Sequence, residues 1–221
     1  SIDAPFQTLD HALSVVVGSA LKQVIVHLGP GTFSPSATGE AFPLPLIPYV
    51  TIQGSDEGES ILDAEFTSGM FLGLYDESSG LKNVTVTRGS DQYYAGVRLE
   101  YCPDTVMIAS CRFIDNHVQE YPGAGVTCFE SSPIITDGYF YGNSGTMGAA
   151  IMCFNNAHPI IQRCKLINNS AMDSGGGITC IRSSPLILDS IIQGNSANTG
   201  GGLSLDRRCE SSVVNCLIAE N

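Results

Sequence analysis

Three kinds of residue in this 221-residue chain could carry chemistry: runs of glycine, eight cysteines, and 22 acidic side chains set against ten basic ones. The stretch Gly194-Asn-Ser-Ala-Asn-Thr-Gly-Gly-Gly-Leu-Ser-Leu205 ends its polar part in three consecutive glycines. Such runs cradle phosphate when a helix N-terminus follows and a lysine reaches the anion. Here an alternating segment, Leu203-Ser-Leu205, reads as a strand instead. The cysteines form neither CxxC pairs nor Cys/His zinc spacings, so a structural zinc site is not expected. A nucleophilic thiol needs a histidine and an electropositive setting. His11, His27, His117 and His158 fall at unrelated spacings and read as surface or turn residues. The net charge of −12 argues against nucleic acid and against anionic membrane surfaces. An acidic polymer would need a bridging cation. No apolar run reaches the roughly 20 residues that cross a bilayer. No leader is visible, and Ser1 reads as a trimmed start.

The positioning elements follow from an internal repeat. Gly123-Ala-Gly-Val126, Gly148-Ala-Ala-Ile151, Gly175-Gly-Gly-Ile178 and Gly200-Gly-Gly-Leu203 align with one another. Upstream of each lies an element ending in asparagine: Phe113-Ile-Asp-Asn116, Phe140-Tyr-Gly-Asn143, Leu166-Ile-Asn-Asn169 and Ile192-Gln-Gly-Asn195. A fifth copy is Ile218-Ala-Glu-Asn221, and successive asparagines are 27, 26, 26 and 26 residues apart. One step back lands on Gly89, after Leu81-Lys-Asn-Val-Thr-Val-Thr. Between them lies a third element: Ser131-Ser-Pro-Ile-Ile135, Ala157-His-Pro-Ile-Ile161 and Ser183-Ser-Pro-Leu-Ile187. Short alternating segments punctuated by Gly, Pro and Asn are strands and turns, and the i, i+3, i+4 pattern of helical repeats is absent. A period of about 26 residues built of short strands predicts a solenoid in which each strand pairs with its copy in the next coil. Asn116, Asn143, Asn169, Asn195 and Asn221 then stack about 4.8 Å apart, where identical amides can donate and accept along the stack.

Residues 5–80 differ. Phe6, Leu9, Ala12, Leu13, Val16 and Val17 mark one helix face, with Pro5 in the first turn, so 5–18 is predicted to be a capping helix. Val24-Ile-Val-His-Leu28, Gly29-Pro-Gly-Thr-Phe33 and Tyr49-Val-Thr-Ile-Gln-Gly54 begin the N-terminal coils, 19–80. The regular repeats cover 81–221, and the whole chain reads as one domain of seven or eight coils. The repeat pattern is still running at Asn221, so further chain, or another element covering that end, is expected there.

The repeats resemble those of the right-handed parallel β-helix (pectate-lyase-like) superfamily. Gly148-Ala-Ala-Ile151 and Phe140-Tyr-Gly-Asn143 are similar to the GGAI and FxxN elements of chlamydial polymorphic outer-membrane proteins and of bacterial surface β-helix proteins. The resemblance covers about residues 81–221 and implies an all-β fold whose open N-terminal end is plugged by the helix. It also implies a secreted or cell-surface location. Polysaccharide lyases and hydrolases of that superfamily group Asp residues on one outer strand, and their Asn-Thr-Asp, Asp-Asp, Gly-His-Gly and Arg-Ile-Lys signatures do not occur here.

Phase decides the remaining candidates. Asp137 and Asp189 share a phase, with Arg163 between them; Asp115 and Glu220 share another, with Gly142, Asn168 and Gly194 between. Hydrolysis needs two carboxylates about 5–9 Å apart across a bond, and scattered acids read as solvated surface. Asp56, Glu57 and Glu59, with Asp63 near, are the densest acidic cluster; weak Ca²⁺ binding is one reading, but their spacing matches no calcium loop, and they read as an exposed turn. Cys128, Cys153 and Cys180 follow the inward Val126, Ile151 and Ile178 by two residues, so alternation turns them inward as a core stack. Leu99 and Leu205 hold that slot in the neighbouring coils. Cys111, Cys164 and Cys216 share a second phase, separated by Gly138 and Ser190; two rungs, about 10 Å, is beyond disulfide reach. These cysteines read as buried free thiols filling small apolar slots. Cys102 and Cys209 fall near turns and are the ones expected to be exposed or bridged. Phe129 and Phe154 lie one residue past the inward cysteines. Facing outward, they and Ile181 make an aromatic strip; the alternative is a bend that packs them inside. Tyr139 and Tyr141 flank the inward Phe140 and face out. Such a strip can stack on sugar rings or seat a partner.

The functional expectation is a non-catalytic secreted or cell-surface segment for adhesion, carbohydrate contact or spacing, with a polysaccharide or cell-surface partner and no catalytic residues. The alternative is a polysaccharide lyase or glycoside hydrolase, which rests on fold analogy alone. The thiol reading has a direct check. Titration of the denatured, unreduced protein should return free thiols at the stacked positions, and a count of zero would overturn it.

Overall fold

The computed structural model describes residues 5–206 and 208–221; Ser1 lies outside them. The chain winds through about eight turns of a parallel β-solenoid with one short helix near its N-terminus. Three sheets run along the axis, and every strand pairs in parallel with its counterpart one turn away. The first has eight strands, from Val24–His27 through Ile134–Thr136 and Ile160–Gln162 to Ser212–Val214. The second has eight, from Gly31–Phe33 through Arg112–Ile114, Tyr139–Tyr141 and Lys165–Ile167 to Leu217–Ala219. The third has seven, from Leu44–Pro45 through Val97–Glu100, Val126–Phe129, Ile151–Phe154 and Ile178–Ile181 to Leu203–Leu205. A fourth, short sheet joins Ser90–Asp91, His117–Val118, Ser144–Met147 and Ser170–Ser174.

Alternation puts one set of side chains inside each turn, and the register stacks like on like. Phe113, Phe140, Leu166 and Ile192 form one buried column; Ile108, Ile135, Ile161 and Ile187 form another. The Phe113 and Phe140 rings stack at 4.8 Å with planes 10° apart. Each such side chain stabilises the fold by about 1.5–3 kcal/mol through removal from water. Val126, Ile151 and Ile178 align as the repeat requires, and so do Cys128, Cys153 and Cys180, all fully buried. Leu99 fills the same slot, whereas Leu205 is exposed in the last turn. Ile218, in register with buried Ile192, is likewise 46 % exposed. The glycine runs are corners of close approach. A Cβ on Gly125 or Gly177 would collide with the carbonyl oxygen of Ala150 or Gly202 in the next turn. Gly148, Gly175 and Gly200 have φ of 57°, 57° and 58°, where glycine carries no steric penalty.

The bends between strands follow a rule that the motif spacing does not display. Ser110, Asp137, Arg163, Asp189 and Asn215 occupy one bend in successive turns, all at φ between 49° and 55°. Tyr75, Tyr101, Glu130, Asn155 and Arg182 do the same at another, at φ between 46° and 58°. The left-handed region costs a non-glycine residue about 1–2 kcal/mol. An inward small polar side chain follows most of these bends and offsets that cost; Gly138 and the exposed Asn156 take that place after Asp137 and Asn155. Ser190 Oγ donates to Leu188 O at 2.7 Å and accepts from Cys164 N at 3.1 Å; Ser131 Oγ donates to Phe129 O at 2.8 Å and accepts from Cys102 N at 2.9 Å. Cysteine replaces serine in these columns. Cys111, Cys164 and Cys216 Sγ lie 3.3, 3.4 and 3.3 Å from the carbonyl two residues earlier. Cys102 does the same at 3.4 Å, and Cys209 lies 3.1 Å from Cys180 O. The expectation of an exposed or bridged Cys102 is therefore corrected. Cys102 is a buried free thiol, because the left-handed bend at Tyr101 aims the next side chain inward, and Cys209 is a half-buried free one.

The asparagines form a continuous ladder. Asn116, Asn143, Asn169 and Asn195 each donate Nδ2–H to Oδ1 of the next, at 3.0, 2.9, 2.9 and 2.9 Å, ending on Asn221. Each Oδ1 also accepts a backbone N–H of the preceding turn, as Asn169 does from Asn143 N at 3.0 Å. Each amide further donates to a carbonyl one turn back, Asn143 to Phe113 O at 2.9 Å. Gly89, at the head of the ladder, donates its N–H to Asn116 Oδ1 at 3.0 Å. The buried polar groups of the ladder are thereby paired along its length.

The N-terminal helix runs Leu9–Val15, shorter than the 5–18 span of the apolar pattern. Thr8 is its N-cap, with Oγ1 accepting from His11 N at 3.2 Å. Glu40, buried, accepts Leu9 N at 2.9 Å and Asp10 N at 2.5 Å, which ties the helix start to the first turn. Val16 and Val17 lie beyond the helix, where β-branched residues favour extended backbone; Val16 has φ −87° and ψ 140°. The helix buries Leu9, Ala12 and Leu13 over the end of the core.

Asn143→Ala should cost about 2–4 kcal/mol, since it strands buried donors on Asn116 and the Phe113 carbonyl. Asn221→Ala, on the exposed last rung, should cost clearly less. Urea midpoints at constant m-value measure both, and equal losses would sink the ladder's energetic role.

Candidate functional site

The outward aromatics assemble into one column. Phe129 and Phe154 point out of the third sheet and are half-buried, with ring centroids 5.6 Å apart. The alternative of inward packing does not occur, because Cys128 and Cys153 take the inward positions before them. Tyr101, at the left-handed bend, meets Phe129 edge-on at 5.6 Å and stacks on Tyr75 at 4.8 Å with planes 8° apart. Four rungs, Tyr75–Tyr101–Phe129–Phe154, are thus in contact. Tyr75 is 70 % exposed and Tyr101 39 %. Tyr139 and Tyr141 lie on a different face, the outside of the second sheet, where Tyr139 receives the Arg112 guanidinium at 5.7 Å. The four predicted strip residues therefore split into two separate patches. Tyr75 and Tyr101 were absent from the sequence prediction. Their signal is a spacing of 26 residues, masked because Tyr101 lies one residue past the strand position that aligns with Phe129.

Beside the column runs an open groove of about 780 Å³. Its lining includes Tyr75, Tyr101, Cys102, Ser132 and His158, together with three carboxylates, Glu77, Asp104 and Glu130. Turn-to-turn stacking of the bend after the third sheet brings these acids together from three coils. Glu77 accepts the Tyr49 hydroxyl at 2.5 Å. Burial raises the Tyr101 phenol pKa, and the Glu130 charge adds to it. His158 Nε2 lies 3.1 Å from Asn156 Oδ1, which fixes the ring at the groove wall.

Other acids are engaged elsewhere. Asp137 pairs with Arg163 at 2.8 Å, and that bond holds its carboxyl below the usual range. Asp189 accepts Asn215 Nδ2 at 2.6 Å. In the acidic loop region, Asp63 pairs with Arg88 and Glu59 with Arg112, while Asp56 accepts Asn83 Nδ2 at 3.3 Å. Among the described residues no group of three or more His, Cys, Asp or Glu side chains converges as a metal site. A second groove, about 650 Å³, follows the short fourth sheet past His117, Ser144, Ser170 and Ser196. His117 Nδ1 lies 2.8 Å from Ser144 Oγ. Nucleophilic serine chemistry needs a third group to orient the histidine, and among the described residues none does so.

Four buried thiols are held far from reactivity. Burial pushes Cys111 and Cys164 up to about 12 and Cys128 higher still; Cys153 is raised by its contact with Cys180 and by burial.

One buried acid stands out next to the groove. Asp76 sits between Tyr75 and Glu77, is fully buried, and accepts Ser79 Oγ through Oδ2 while its Oδ1 has no partner. Burial raises its pKa, with the Ser79 bond and the Glu77 backbone bond opposing. It occupies the inward position after the bend that Cys102, Ser131 and Ser183 hold in later turns, where a neutral donor is the rule.

A family model described as the right handed beta helix region matches residues 68–221. None of the curated proteins and none of the solved structures searched matches the chain.

Asp76 generates a pH prediction. Its folded pKa lies above the unfolded value of about 3.9, so its neutral form favours folding. Its favourable contribution is complete below that value and is lost as pH rises through the folded pKa. Asp76→Asn should therefore match the parent at pH near 3 and exceed it in urea midpoint at pH 7. Parallel profiles for the two proteins would remove this assignment.

Proposed function

The chain belongs to the right-handed β-helix family, and from that premise we propose that it is a non-catalytic segment that holds carbohydrate against the outside of its turns. The observation that carries this reading is the aromatic column Tyr75–Tyr101–Phe129–Phe154 bordering the groove. Exposed aromatic rings on a rigid scaffold offer apolar faces and edges to sugar rings at little entropic cost. Repetition at one strand spacing presents a linear ligand with equivalent contacts along the axis. We place the segment outside the cell or at its surface, as an adhesive or spacing element facing a polysaccharide or cell-surface partner.

A second reading, glycoside hydrolysis, is favoured by one observation: Glu77, Asp104 and Glu130 line the same groove. Two carboxylates about 5–9 Å apart across a glycosidic bond are what such chemistry requires.

A glycan array followed by reducing-end and unsaturated-uronate assays on the hits separates the two. The expected outcome is binding without turnover; turnover of any bound glycan defeats the first reading. Tyr75→Asn and Tyr101→Asn remove the rings while keeping a residue that tolerates left-handed backbone. Each should weaken binding about ten-fold, equivalent to roughly 1.4 kcal/mol, at an unchanged urea midpoint.

A further inference from the structure

Resting on the carbohydrate reading, we infer that the groove beside Tyr75 and Tyr101 takes a glycan bearing free amino groups, a cationic polymer and not a neutral or uronate one. The lining carries Glu77, Asp104 and Glu130 and no lysine or arginine. Arg182, which follows at the same bend of a later turn, lies outside that lining. Elsewhere Asp137, at a bend, pairs with Arg163 and Asp63, at the end of a strand, pairs with Arg88, whereas Asp189 at its bend meets the uncharged Asn215 amide. Among the described residues neither Asp104 nor Glu130 has an ion pair, and the partner of Glu77 is the uncharged Tyr49 hydroxyl. The groove thus presents unneutralised carboxylates against aromatic rings on a chain of net charge −12.

That combination has a chemical preference. An ammonium group gains both from the negative face of a tyrosine ring and from the neighbouring carboxylates. A uronate would meet like charge. A neutral sugar would stack on the rings and leave the carboxylates to water. The amine supplies the charge and the pyranose the apolar surface, so a polymer of amino sugars satisfies both parts of the groove at once.

The test compares four hexamers by calorimetric titration of the intact chain: β-1,4-linked glucosamine, its fully N-acetylated form, galacturonate and lysine. The glucosamine hexamer should bind about ten-fold or more tighter than the acetylated hexamer at low salt. High salt should erase that preference, because exposed charges are screened. The double variant Asp104→Asn, Glu130→Gln should erase it too, at an unchanged urea midpoint. Equal binding of the two glucosamine-type hexamers overturns the inference and leaves the carbohydrate reading standing. Tighter binding of galacturonate overturns it as well. Hexalysine binding as tightly as the glucosamine hexamer overturns it in favour of a cationic peptide. Binding of no hexamer defeats the carbohydrate reading and the inference together.

Discussion

Parallel in-register stacking is the constraint on which everything else depends. Each strand hydrogen-bonds to its own copy one turn away, so every side chain faces the residue at the same phase of the next turn. A side chain that cannot tolerate a near-copy of itself about 4.8 Å away is excluded from the interior. Aliphatic columns and the Phe113–Phe140 stack tolerate it through packing, and asparagine through its paired donor and acceptor. Charged side chains do not, and they appear at the exposed bends, where Asp137 alternates with Arg163.

Polar groups inside the turns obey the same logic. A solenoid must turn corners within a cross-section too small to admit much water, and each corner frees backbone donors and acceptors. The chain meets that demand with side chains short enough to reach back two residues and up one turn: serine, cysteine and the ladder asparagine. Cysteine here is a serine analogue with a more apolar body. That explains why eight thiols coexist without a bridge and why six of them are buried. Asp76 is the exception in its column, an ionisable group where the other turns place a neutral one. It stands directly behind the wall of the candidate groove.

Because the interior repeats, individuality is confined to outward positions. The bend after the third sheet carries Tyr, Tyr, Glu, Asn and Arg in successive turns, a sequence of chemistries ordered along the axis. The aromatic column and the carboxylate-lined groove both arise from it. Neither is a motif in the linear chain: Glu77, Asp104 and Glu130 belong to three different turns, and stacking alone makes them neighbours.

The sequence by itself determined the architecture. The 26-residue spacing of asparagines and glycine corners sets the coil length, and alternation sets which residues face inward. The core cysteine stack, the ladder and the Phe140 column were legible for that reason, since a strict period transmits register from one copy to the next. The tertiary structure decided what the period does not encode. Left-handed bends reverse the side-chain alternation, which moved Cys102 from an expected surface position to the interior and brought Tyr101 under Phe129. Glu40 caps a helix 30 residues before it through the closure of the first turn, a long-range contact with no local signature. The groove exists only because the bends of several turns superpose, and its charge balance follows from which of those bends carry acids without a basic partner.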